Sequence, residues 1–150
     1  MATVVIGLSE AARDASGESA ATEFLDFTFD GESLRSELAQ RGFSDMVGPL
    51  WTSVHGRQLW PETVARLLGK ASGDAPGNRV SVFVCGECGD LGCGAVTVRL
   101  ELSDGLVTWS DWGYQNNYED EISREGLKDL PPLEFDRIQY ESVVTSVLTP

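Results

Sequence analysis

A chain of 150 residues, with 24 acidic against 11 basic side chains, one histidine and a net charge of −13, has the size of one domain around one core. Its field repels phosphate backbones and anionic membrane surfaces, which speaks against direct nucleic-acid binding, and no window approaches the roughly 20 apolar residues of a membrane span. The same charge favours solubility and faster association with a basic protein partner.

Met1 to Leu8 has no basic n-region and no cleavage site, so no signal peptide is expected. Three cysteines within nine residues, Cys85 to Cys93, fit a reducing cytoplasm better than a secreted disulfide scaffold. Residues 9–22, rich in Ala, Ser and Glu, read as a flexible linker or a frayed helix. Next, Leu25, Phe27 and Phe29 alternate with Asp26 and Thr28, a strand signal. Asp30 and Gly31 end it, and Asp30 is placed to cap a short helix through Leu34 and Leu38 that stops near Gly42. Residues 43–60, broken by Gly48-Pro49, Gly56 and Trp60-Pro61, read as mostly irregular. Pro61 suits the first turn of a helix to about Lys70 with Val64, Leu67 and Leu68 inward, followed by a loop from Gly73 to Gly77.

The apolar period then changes. Val80, Val82 and Val84 share one face of a strand over Arg79 to Cys85, and Val96, Val98, Leu100 and Leu102 share one over Ala95 to Leu102. Ser103-Asp104-Gly105 is a hairpin turn, and Leu106 to Gly113 returns as a third antiparallel strand. Beyond Pro131-Pro132, Asp136 and Gln139 resemble a capping box that opens an amphipathic helix carrying Tyr140, Val143, Val144, Val147 and Leu148. The expected fold is α+β: a single domain with an antiparallel sheet of about four strands and helices packed on one face.

Chemistry concentrates in Cys85-Gly86-Glu87-Cys88-Gly89-Asp90-Leu91-Gly92-Cys93-Gly94. A C-x-x-C-G turn with a third cysteine beyond it supplies three ligands of a tetrahedral zinc site, and the glycines after each cysteine permit a knuckle whose amides turn toward thiolate sulfur. The fourth ligand is open. His55, the only histidine, stands 30 residues upstream of Cys85 in the irregular segment, and Asp90 or Glu87 would supply oxygen less favourably. Two other readings compete: cysteines and glycines filling a tight hairpin connection, and redox chemistry of the kind C-x-x-C motifs carry. With Glu87 and Asp90 inside the loop and no Lys or Arg, local charge should raise thiol pKa values and slow thiolate chemistry; reversible Cys85–Cys93 oxidation is compatible with the spacing.

A second stretch, Trp109 to Glu121, joins aromatic and acidic groups. On a regular strand Trp109 and Asp111 face one side and Trp112 the other, so at least one Trp is core. Tyr114 and Tyr118, beside Glu119, Asp120 and Glu121, would form an exposed rim suited to an Arg- or Lys-rich partner, the alternative being a solvated acidic loop. Nucleotide-binding and hydrolase motifs do not occur, and nothing positions paired carboxylates against a substrate.

The cysteine motif, Val-x-Trp-Ser-Asp-x-Gly-Tyr at 107 to 114 and Phe135-Asp136-Arg137-x-x-Tyr140 together resemble small actinomycete-type bacterial proteins with a CGxCGDxGCG motif. The resemblance covers about half the chain and implies no established function, the loose label of such proteins being oxidoreductase. Two functions are therefore expected from different classes. One is a non-enzymatic acidic protein that binds a basic partner, a toxin-neutralising immunity protein being one concrete form. The other is a zinc-binding or thiol-redox protein using Cys85, Cys88 and Cys93.

Overall fold

A computed structural model describes residues 3–14, 21–89 and 91–149. In chain order its elements are β1 (Ile6–Arg13), β2 (Thr22–Phe29), β3 (Glu32–Ser33), α1 (Arg35–Gln40), β4 (Met46–Val47), β5 (Leu50–Trp51), α2 (Val54–Gln58), α3 (Trp60–Leu67), β6 (Val80–Cys85), β7 (Ala95–Ser103), β8 (Leu106–Gln115), β9 (Leu133–Asp136) and α4 (Arg137–Ser146). They build two antiparallel sheets, one of β1, β2 and β3 with β5 also paired to β2, the other in the order β4-β6-β7-β8-β9. The fold is thus mixed α and β, as expected, but richer in sheet than one four-stranded layer. Among the described residues no helix is long and apolar enough to cross a membrane.

Each sheet contains a two-residue strand that local patterning hides, and the first also gains β1. Within residues 43–60, expected to be irregular, Met46 and Val47 pair with Cys85 and Val84, while Leu50 and Trp51 pair with Leu25 and Phe24. Ser9 to Arg13 and Thr22, expected in a linker, are strand instead, paired along the whole of β2 from Ile6↔Phe29 to Arg13↔Thr22; residues 15–20 of that expectation lie outside the described residues. Asp30 does not cap α1. It adopts a positive φ of 53° in the β2–β3 turn and its Oδ1 accepts from the Val5 amide, while Ser33 Oγ accepts from the Arg35 amide. The helices at Trp60–Leu67 and Arg137–Ser146 match expectation, with Val64, Leu67, Tyr140 and Val144 buried.

Two bulges revise which side chains share a face. In β8 the register with β7 shifts between Thr97↔Gly113 and Arg99↔Ser110, with Asp111 at a φ of 53°. One extra residue restores the side-chain phase, so Trp109 and Trp112 enter the same core and their rings lie 6.3 Å apart. They do not point to opposite sides. The bulge is braced by Arg79, buried in the sheet, which donates to Thr97 Oγ1, Gln115 Oε1 and both Asp111 Oδ2 and Asp111 O. In β6 a second shift between Ser81 and Phe83 sends Val80, Val82 and Phe83 into the main core and Val84 into a smaller one, so the three valines do not share a face. Of the β7 row, Val96 and Val98 are buried whereas Leu102 is 38% exposed.

The main core is aromatic. Trp109 meets Phe27 and Phe135 at 5.3 Å and Tyr140 at 6.3 Å, all edge-on, geometry worth about 0.5–1.5 kcal/mol per pair beyond area burial. The Tyr140 hydroxyl accepts from Trp109 Nε1 and donates to Leu67 O at 2.7 Å; burial raises its pKa far above the ordinary phenol value. At the start of α4, Asp136 accepts from the Gln139 amide as expected. The Gln139 side chain, however, turns away to bond both the amide and the carbonyl of Ile6. Half of the capping box is spent on tying α4 to β1.

Candidate functional site

Cys85 ends β6 inside the sheet, opposite Met46, and β7 begins at Ala95; the ten-residue motif spans the gap between them. The smaller core lies under it: Leu91 from the loop packs with Val84, Ala95, Phe24, Val47 and Ala75. Within the loop Gly89 N donates to Cys85 O at 2.9 Å, a short 3-10 turn covers Leu91–Cys93, and Gly94 N donates to Leu91 O. These turns fold the three cysteines back on one another. Their Sγ atoms lie within 4.8 Å of one another.

Cys88 and Cys93, both exposed, are joined by a disulfide with their Cα atoms 6.4 Å apart, and Cys85, half-buried, is a free thiol. The bond thus links the two exposed cysteines, Cys88 and Cys93, not Cys85 and Cys93. Cys85 Sγ accepts from the Glu87 amide at 3.4 Å, the amide-to-sulfur contact anticipated for a knuckle. Reduced, the loop offers three thiols around one point; oxidised, it offers an exposed disulfide with a third sulfur beside it.

The glycines mark where the framework presses on the loop. Gly89 and Gly94 have φ of +72° and +99°, a region that L side chains rarely adopt. They also have no room: a Cβ on Gly89 would stand 2.9 Å from the Trp51 ring, and one on Gly94 would run into the Tyr114 ring and hydroxyl. Gly86 is crowded by Arg13 and Asp45; its amide donates to Asp45 O and its carbonyl accepts from Thr22 Oγ1 at 2.9 Å.

Arg13 adds a cation to the acidic environment expected for the sulfurs. Its buried guanidinium pairs with Asp45, lies 3.7 Å from Glu87, and is held firmly charged first by the Asp45 hydrogen bond, with Glu87 and Cys85 adding smaller attractions. It comes from β1, far from the motif in sequence, and the pairing of β1 with β2 delivers it; nothing in the motif itself signals it. Tyr114 also moves from its expected place. It is half-buried against Phe43, at 5.4 Å between rings, and donates to Cys93 O at 3.2 Å. Burial first, and the nearby Cys85 second, raise its pKa above the ordinary phenol value.

The other expected residues are dispersed. His55 is exposed on the five-residue α2 and is not part of the sulfur cluster; Glu87 serves Arg13; Asp90 lies outside the described residues. Among the described residues the sulfurs alone form a group able to hold a metal ion. Tyr118 is 79% exposed, with Glu119, Asp120 and Glu121 exposed around it, and the Asn116 side chain accepts from the Tyr118 and Glu119 amides to fold this turn. A cleft of about 360 Å³ opens beside the cysteine loop, walled by Gly89, Leu91, Gly92, Leu59 and Ser81. The buried Ser81 Oγ has no hydrogen-bond partner. No protein-family model matches the chain, and neither does any curated protein or solved structure.

Proposed function

We propose that the chain is a thiolate metal-binding protein in which reduced Cys85, Cys88 and Cys93 hold zinc, with the fourth position supplied from outside this trio. The observation that carries this is the convergence of three sulfurs within 4.8 Å on one loop. Zinc–sulfur bonds of about 2.3 Å at tetrahedral angles set ligand sulfurs roughly 3.8 Å apart, so the described geometry needs only small adjustments once the Cys88–Cys93 bond is reduced. The Glu87 amide at Cys85 Sγ supplies the kind of outer hydrogen bond that orients a sulfur ligand. Arg13, Trp51 and Tyr114 hold the loop from three sides. Metal analysis tests the reading directly: the reduced chain, loaded with zinc and desalted, should retain roughly one equivalent, and Cys88→Ser should lose most of it. A reduced, folded chain that retains no zinc overturns it.

The acidic surface supports a second, non-enzymatic reading, recognition of a basic protein such as a toxin bound by its immunity protein. Arg13, Arg41, Arg66, Arg79, Arg124 and Arg137 are paired with carboxylates of the chain itself. Among the described residues no ion pair uses Glu119, Asp120 or Glu121. These carboxylates therefore keep their charge for an incoming cation, and Tyr118 supplies apolar area beside them. Replacing all three by Lys should abolish capture of a basic partner from the native host; unchanged capture removes the reading.

A further inference from the structure

The geometry points to a second activity on the same loop: thiol–disulfide exchange in which Cys85 is the internal attacking thiol and the exposed Cys88–Cys93 bond its electrophile. It shares the sulfurs with the zinc reading but requires no metal. Exchange needs a thiolate able to reach a disulfide sulfur and a bond accessible to a partner. The loop separates these roles by burial: Cys88 and Cys93 are exposed, whereas Cys85 is half-buried at the strand end, reduced, and within 4.8 Å of both. A structural disulfide clamp would need no third sulfur there.

The step balances within the chain. Cys85, its proton released to water, forms a bond to Sγ of Cys88 or Cys93. The Cys88–Cys93 bond breaks, and its electron pair leaves on the other cysteine, whose thiolate takes up a proton. One disulfide and one thiol stand on each side, so neither oxidant nor reductant is consumed. The reduced loop extends this to a low-molecular-weight disulfide, RSSR. An exposed thiolate forms a mixed disulfide and expels one RS⁻; Cys85 attacks the mixed disulfide, expels the second RS⁻ and closes an internal bond. Two electrons pass from the protein to RSSR. The cleft beside Gly89 and Gly92 offers a small R group a place next to the reacting sulfurs.

Oxidised glutathione serves as the probe, with the full reduced chain in chelator so that the outcome is independent of zinc. Closure of the internal bond is followed by acid quench, alkylation and peptide mass. Cys88→Ser should close Cys85–Cys93, and Cys93→Ser should close Cys85–Cys88, each within about tenfold of the unmodified chain, after a transient glutathione adduct. If both variants stop at the adduct while Cys85→Ser still closes Cys88–Cys93, Cys85 is a bystander and the inference fails. A second measurement needs no variant. In the oxidised natural chain, a slow bulky alkylating reagent favours exposed thiols, so exchange places label on Cys88 or Cys93. Label confined to Cys85 overturns the inference.

Discussion

The aromatic core and the cysteine loop are held by opposite strategies. Around Trp109, five rings interlock at 5–6.5 Å, and the stabilisation is spread over many contacts that support one another. The loop has one small apolar patch beneath it and otherwise depends on single contacts from distant segments: Arg13 and Thr22 at Gly86, Trp51 at Gly89, Tyr114 at Cys93 and Gly94. The core therefore sets how stable the chain is, and the loop sets where three sulfurs stand. Substitutions in one region should leave the other's property nearly intact.

Trp109→Ala is the strongest challenge to that separation. Emptying a fully buried indole site and orphaning the Tyr140 hydrogen bond should cost about 3–5 kcal/mol, read as a large loss in denaturation midpoint. Whatever fraction remains folded should still bind zinc at the stoichiometry of the unmodified chain. If stoichiometry per folded molecule falls as well, core and loop are one cooperative unit.

Asp111→Asn probes the bulge that brings Trp109 and Trp112 together. Asn accepts the positive φ, so the change removes charge and leaves shape. Arg124 first, and Arg79 second, hold the Asp111 carboxylate at about 2. A carboxylate depressed in the folded state binds fewer protons there than in the unfolded chain. Its contribution is therefore complete above about pH 4–5 and lost as pH falls toward 2. Asn should cost about 1–2 kcal/mol at neutral pH, less than a fully buried pair because Asp111 is about a third exposed to screening solvent, and the acid slope of stability should flatten. A slope unchanged by the substitution would mean that other groups carry the acid sensitivity.

The same contrast decides what was legible in the residues. Alternation exposed β2, β7 and β8, and helical spacing exposed α3 and α4, because each buries a face large enough to impose a period. The period could not see the bulges at Val82 and Asp111, where one extra residue resets the phase, nor β4 and β5, whose two residues gain strand form only from partners elsewhere. For β1, the run Ser9-Glu10-Ala11-Ala12-Arg13 lacks an apolar stripe and is recruited by pairing. At the site, cysteine spacing alone announced three converging sulfurs. Arg13 and Tyr114 were invisible as neighbours, since only the sheet register brings the first, and only the pairing of Val96 with Tyr114 folds the second back over the loop it serves.

Tyr114→Phe is the smallest and most selective change. It removes one hydroxyl, at a half-buried position with Phe43 still packed against the ring, so the stability cost should stay under about 1 kcal/mol. The lost bond, however, is the one to Cys93 O, which fixes the third sulfur relative to the first two. Freed of it, the Cys93 end should sample more conformations, and a site whose ligands must be ordered on binding pays that entropy in affinity, so zinc should bind several-fold more weakly. Competition against a chromophoric chelator measures this. Unchanged affinity with an unchanged midpoint would show that Gly94 and the Leu91–Cys93 turn position Cys93 without help, leaving Tyr114 to packing alone.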